Sequence, residues 1–199
     1  MSAVRSLGAG ALLLGLAAPF AGSPYLPAQA GIDVEGLARV IASGEDHVTA
    51  AELAVWVRDR KPGLRVIDVR DADAFAAYAI PTAENIPIDR LARSAFSKGE
   101  TIVLYSEGGA HAGQAWVLLR ALGLTNVFFI AGGMVDWHEE IMAPELPSDA
   151  SDAEKKAFEA RSELSHYFGG EPQIGPAGGP ASTKPAPERA RVAVRRRGC

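Results

Sequence analysis

The sequence predicts an α/β fold, a parallel sheet with helices on both faces. Three observations predict it. Segments of helical periodicity alternate with short strand-like runs, the clearest of those runs is β-branched and apolar, and Gly or Pro separates neighbouring elements. With 199 residues, 48% of them hydrophobic and 22% charged, the chain can bury one full core and still carry extensions, but a second domain of ordinary size does not fit.

In chain order, Val34 to Ala42 places apolar residues at helical spacing (Val34, Leu37, Val40, Ile41) and stops at Ser43-Gly44, which predicts a short helix. Thr49 followed three residues later by Glu52 is a capping-box pattern and starts a helix through Val57. Leu64 to Val69, bounded by Pro62-Gly63, reads as a buried strand. Asp71 to Tyr78 reads as a short helix, Glu84 to Ile88 as a strand start and Ile102 to Tyr105 as a further strand. Ala112 to Leu122 is an apolar helix closed by Gly123, and Val127 to Ile130 is the last strand before Gly132-Gly133. Trp116 and Trp137 are expected in the core. Beyond this, Ser151 with Glu154 repeats the capping pattern, and Ala153, Ala157, Phe158, Leu164 and Phe168 give the following helix one apolar face. That face either covers the domain or receives a partner.

The two ends differ from the body. Arg5, an apolar run from Leu7 to Phe20 and the small-residue ending Ala28-Gln29-Ala30 have the form of an export signal cut after Ala30. The run falls short of the roughly 20 residues a membrane span requires, so an uncleaved anchor is the weaker alternative. Residues 31–183 hold 13 Lys+Arg against 23 Asp+Glu, a net charge of -10, while residues 184–199 hold 6 against 1, a net charge of +5. An acidic body is unsuited to nucleic acid. The predicted organisation is a signal peptide at 1–30, an N-terminal helical extension at 31–46, the α/β domain at 47–141, a linker with an amphipathic helix at 142–170, and a disordered Pro/Gly-rich basic tail at 171–199. The expected compartment is the periplasm or another exported location, with no transmembrane span after processing. Cys199, the only cysteine, excludes an internal disulfide and leaves an intermolecular one open.

In an open α/β sheet, ligands sit beyond the C-terminal ends of the strands, which here points to the loop after Tyr105. It reads Ser106-Glu107-Gly108-Gly109-Ala110-His111-Ala112 and runs into the next helix. Two glycines and a helix start suit it to cradling an anion; the plain alternative is a Gly-rich turn without a ligand.

Asp68-Val69-Arg70, Phe75, Ile80-Pro81, Ala83 and Asn85-Ile86-Pro87 match in spacing the pattern D-V-R, Y, then G-H-I-P-G-A-x-N-I-P. Ile102-Val103-Leu104-Tyr105 stands where that pattern has its loop-bearing strand, and Gly132-Gly133-Met134 with Trp137 is similar to its closing G-G-M-x-x-W. By these motifs the chain resembles the rhodanese-like sulfurtransferase domains over about half its length. The resemblance implies a five-stranded parallel sheet flanked by helices on both faces, and places Asp68 and Arg70 as residues that hold the sheet end and the loop together.

The departures decide the functional expectation. The family's loop has the form C-x-x-G-x-R-S, against Ser106, Glu107, Gly108, Gly109, Ala110, His111 and Ala112 here. A sulfur-carrying cysteine works as a thiolate that becomes a persulfide; a serine hydroxyl stays protonated near neutral pH and forms no such adduct. His111 stands where the resemblance implies a permanently charged arginine, and Glu107 adds a negative charge. Tyr78, Ala79 and Thr82 replace the first glycine, the histidine and the second glycine of G-H-I-P-G. The expectation is therefore a catalytically inactive, exported rhodanese-like binding module with no catalytic residue. Ser106 to Ala112 would bind, and the ligand would be a periplasmic partner protein or a small sulfur anion, with no cofactor or metal. The alternatives are sulfur transfer through another thiol, or a serine-dependent activity at Ser106 with His111 as base.

Overall fold

The structure, a computed structural model, describes residues 33–176; the expected signal peptide, the basic end of the tail and Cys199 lie outside the described residues. Five parallel strands form the central sheet: β1 (His47–Val48), β2 (Leu64–Asp68), β3 (Glu84–Asn85), β4 (Thr101–Tyr105) and β5 (Val127–Ile130), in the order β1-β5-β4-β2-β3. This is the expected fold class. β4 lies in the middle with all five residues buried, which is why its run Thr-Ile-Val-Leu-Tyr shows no polar alternation.

Helices cover both faces, and strand side chains alternate between them. On one face, Val66, Val103, Tyr105 and Ile130 pack with α2 (Ala50–Arg58), α6 (Gly133–Trp137) and the π-helical turn His138–Met142. On the other, Ile67, Ile102, Leu104 and Val127 pack with α5 (Ala110–Ala121), α4 (Ile88–Leu91) and Leu37 and Val40 of α1 (Val34–Ser43). Trp116 and Trp137, one in each cluster, are at most 1% exposed. Each indole N–H finds an acceptor, Trp116 Nε1 at Val127 O (2.8 Å) and Trp137 Nε1 at Tyr78 Oη (3.0 Å), so neither side chain leaves an unmet donor in the core.

Both expected capping boxes are present, Thr49 with Glu52 ahead of α2 and Ser151 with Glu154 ahead of α7 (Asp152–Phe168). The α7 face differs from the expectation. Leu164 and Phe168 join the core, but Ala153 and Ala157 are exposed: the helix packs against α2, the π-helical turn and the strand Glu145–Pro147, and its fully buried residues lie near its C-terminus. The expected start of the disordered tail at Glu171 also needs correction. β6 (Glu145–Pro147) pairs in parallel with β7 (Gln173–Gly175), and Glu171 N donates to Met142 O at 2.7 Å. Main-chain pairing needs no large apolar side chain, so a Pro/Gly-rich composition did not betray it; Ile174 stays 76% exposed.

Candidate functional site

β4 ends at Tyr105, and the next four residues, Ser106 to Gly109, turn directly into α5 at the C-terminal edge of the sheet. The helix begins at Ala110, two residues earlier than its apolar pattern suggested, because Gly109 in the left-handed region (φ 84°) serves as its N-cap. A side chain at Gly109 would put Cβ 1.7 Å from Ala131 O. Gly133 (φ 60°) is confined in the same way, with a Cβ position 2.2 Å from Ser106 O. Two glycines thus let the loop and the β5–α6 turn touch backbone to backbone.

That contact fixes which way the loop faces. Ser106 O accepts from Met134 N (2.9 Å) and Glu107 O from Val135 N (3.2 Å), so the first two carbonyls are tied to α6. Among the described residues nothing accepts from the amides of residues 107 to 111. Ser106 is 3% exposed, and its Oγ accepts from Ala112 N at 3.2 Å, supplying the side-chain cap that Gly109 lacks. Gly109 and Ala112 are buried, whereas Glu107, Gly108, Ala110 and His111 are exposed. No hydrogen bond joins Ser106 to His111 among the described residues, so the serine and histidine are not brought together as nucleophile and base.

Asp68 and Arg70 stand beside the loop at the end of β2. Asp68 is fully buried, and its carboxylate accepts from Arg70 N (2.9 Å), Nε (3.0 and 3.1 Å) and Nη2 (2.7 Å). Arg70 Nη2 also donates to Tyr78 O (2.6 Å), and Nη1 reaches across to Glu107 Oε2 in the loop (3.0 Å). Asp68, with Glu107 after it, holds the guanidinium above its already high ordinary pKa, so Arg70 is a permanent cation. Below it, Tyr105 Oη accepts from Ile80 N at 3.2 Å, and burial pushes the phenol well above its ordinary range. Asn85 Nδ2 donates to Asp68 O (3.2 Å) and Arg70 O (2.9 Å), tying β3 to the same corner.

The sequence had marked the loop, Asp68 and Arg70, but not the Arg70–Glu107 ion pair, nor the capping of loop carbonyls by Met134 and Val135. The pair spans 37 positions and has no local spacing signature; the double glycine after the last strand was the available hint for the second contact. Among the described residues no group of His, Cys, Asp and Glu is placed to hold a metal ion, and no helix is long and apolar enough to cross a membrane.

The family model for the rhodanese-like domain matches residues 49–140. A tRNA uridine(34) hydroxylase of Variovorax paradoxus is 27% identical over 146 residues, covering 65% of this chain and 54% of that protein. The uncharacterized protein YqhL of Bacillus subtilis is 30% identical over 81 residues, 40% of this chain and 64% of its own length. The chain thus spans about half the length of the curated relatives it matches. A rhodanese-like domain protein of Staphylococcus aureus is 29% identical, covering 48% of this chain and 93% of that one, with a TM-score of 0.44. For a human single-domain sulfurtransferase the values are 27%, 46%, 92% and 0.41. Residues 49–140, from the Thr49 cap of α2 into the π-helical turn, are a member of the rhodanese-like domain family.

Proposed function

We propose that this rhodanese-like domain is a non-catalytic binding module whose loop, Ser106 to Ala112, receives a small oxyanion or an anionic group of a partner protein. One observation carries the reading. At the position that the family resemblance assigns to the sulfur carrier stands a buried serine hydroxyl that already accepts from Ala112 N, while among the described residues no acceptor meets the amides of residues 107 to 111. The loop has retained the means to hold an anion without the atom that would take its sulfur. Asp68, Arg70 and Asn85 hold the sheet end in place, and His111 is exposed and makes no hydrogen bond to Ser106 among the described residues.

Export to the periplasm through residues 1–30 belongs to the same proposal, as do a partner met there and a Cys199 thiol free to pair between chains; N-terminal sequencing from the native host tests the processing site. Two of the relatives are named tRNA uridine(34) hydroxylases. The net charge of -10 over residues 31–183 argues against an RNA partner for this chain.

Binding and chemistry separate in one experiment. The purified protein is incubated with excess thiosulfate and read by intact-mass spectrometry and by amide chemical shifts. The reading expects saturable shifts of the amides of residues 107–112 and no added sulfur on the protein. A sulfur adduct that survives Cys199→Ser contradicts it, and so does an unperturbed loop.

A further inference from the structure

Every donor of Arg70 on its inner side is engaged by groups that cannot leave. Asp68 is fully buried, and Tyr78 O is main chain. On the outer side Nη1 has one partner, Glu107 Oε2, on a side chain 73% exposed and carried by the loop itself. A guanidinium offers five N–H donors in a fixed plane, so the outward-facing donors of this one are held by a tethered carboxylate that solvent can reach.

We infer that Glu107 is the specificity-determining residue of this site: its carboxylate acts as a tethered anion on Arg70 Nη1, which a monovalent anion cannot displace and a divalent oxyanion of the thiosulfate or phosphate-monoester type can. The inference rests on the loop being an anion cradle, as proposed above. A carboxylate linked to the loop competes at high local concentration, so an incoming group of equal charge gains nothing by exchange. A dianion interacts about twice as strongly with the same cation and adds bonds to the free amides of residues 107–111. When it enters, Glu107 swings into solvent, which its exposure permits, and Arg70 keeps Asp68, so no buried charge is left unpaired.

The test compares the purified protein with Glu107→Gln and Glu107→Asp, titrated with sodium thiosulfate and separately with sodium acetate at constant ionic strength. Amide shifts of residues 107–111 and the Arg70 Nε–Hε resonance are followed. The native protein is expected to bind thiosulfate and to show no saturable response to acetate. Glu107→Gln is expected to bind thiosulfate about five- to tenfold more tightly, as removal of a partly exposed ion pair and of one like charge implies, and to acquire acetate binding. Glu107→Asp is expected to lie closer to the native protein. Equal thiosulfate affinity in the native and Glu107→Gln proteins overturns the assignment to Glu107 while leaving the cradle intact. No response to either anion in any of the three overturns the cradle and the inference with it.

Discussion

Arg70→Ala removes the partner of a carboxylate that has no access to water. In the native protein Asp68, 0% exposed, accepts from Arg70 Nε and Nη2 at 2.7 to 3.1 Å; after the substitution only the Arg70 main-chain N–H at 2.9 Å remains among these contacts. Truncating one member of a buried pair generally costs about 3–5 kcal/mol, since the other charge stays behind unpaired. Such a loss is a large part of the 5–15 kcal/mol that holds a typical domain together, and at roughly 2–4 °C per kcal/mol it lowers the melting midpoint by about 6–20 °C. Asp68→Asn is expected to cost less, because Arg70 keeps Tyr78 O and Glu107. Urea unfolding of both single variants and the double variant gives the coupling directly, and it should exceed about 2 kcal/mol. A loss below about 1 kcal/mol for Arg70→Ala, with an unchanged slope, would refute the view that this pair fastens the sheet end beneath the loop.

Three further outcomes are expected. Thr82 is a β-branched residue at φ 70°, exposed, where the family pattern has glycine; Thr82→Gly should stabilise the protein by about 1 kcal/mol, checked by thermal unfolding. Gly109→Ala drives Cβ into Ala131 O and forces a left-handed alanine, so it should disrupt the loop and abolish thiosulfate-induced shifts even where the fold survives, as read by amide spectra. The Arg65 guanidinium, bonded to Glu84 and Glu100, holds the Glu84 carboxyl below the ordinary glutamate range; Glu100 is also lowered, first by the Ser97 amide and then by Arg65. A depressed carboxyl contributes stability that is full above its unfolded pKa, about 4.3, and lost as pH falls through its folded value. Arg65→Gln should therefore destabilise at pH 7 and converge on the native protein in urea titrations once pH has fallen through the depressed folded values, and a gap that persists in strong acid would rule the linkage out.

Much of the sheet was legible because its information is local. β2, β4 and β5 announce themselves as short β-branched or apolar runs bounded by turn residues, and Thr49 and Ser151 cap their helices through a partner three residues away. The contacts that shape the site are not local. Arg70 meets Glu107 across 37 positions, and Met134 and Val135 cap the carbonyls of Ser106 and Glu107 only once β5 lies beside β4. The sequence could state that Glu107 brings a negative charge to the loop, but not that the charge rests on Arg70. Similarly, the apolar positions of α7 gave its periodicity, yet how far along its length the helix touches the domain depends on where α2 and the π-helical turn end. The short β6–β7 ladder is the extreme case, since backbone pairing of three residues leaves no side-chain pattern to read.

Whether the loop binds without transferring sulfur is tested most directly by thiosulfate-to-cyanide sulfur transfer, measured on the purified protein, on Cys199→Ser, on Ser106→Cys, and on Ser106→Cys combined with Glu107→Gln, His111→Arg and Ala112→Ser. The account predicts no turnover above a heat-treated control for the first two. It predicts little for Ser106→Cys alone, whose thiolate would share the loop with Glu107 and meet His111 where the family resemblance implies an arginine, and an oriented charged donor of that kind commonly contributes about 100- to 1,000-fold at a reacting anion. It predicts measurably more for the quadruple variant. Turnover by the native protein that persists in Cys199→Ser would contradict the account.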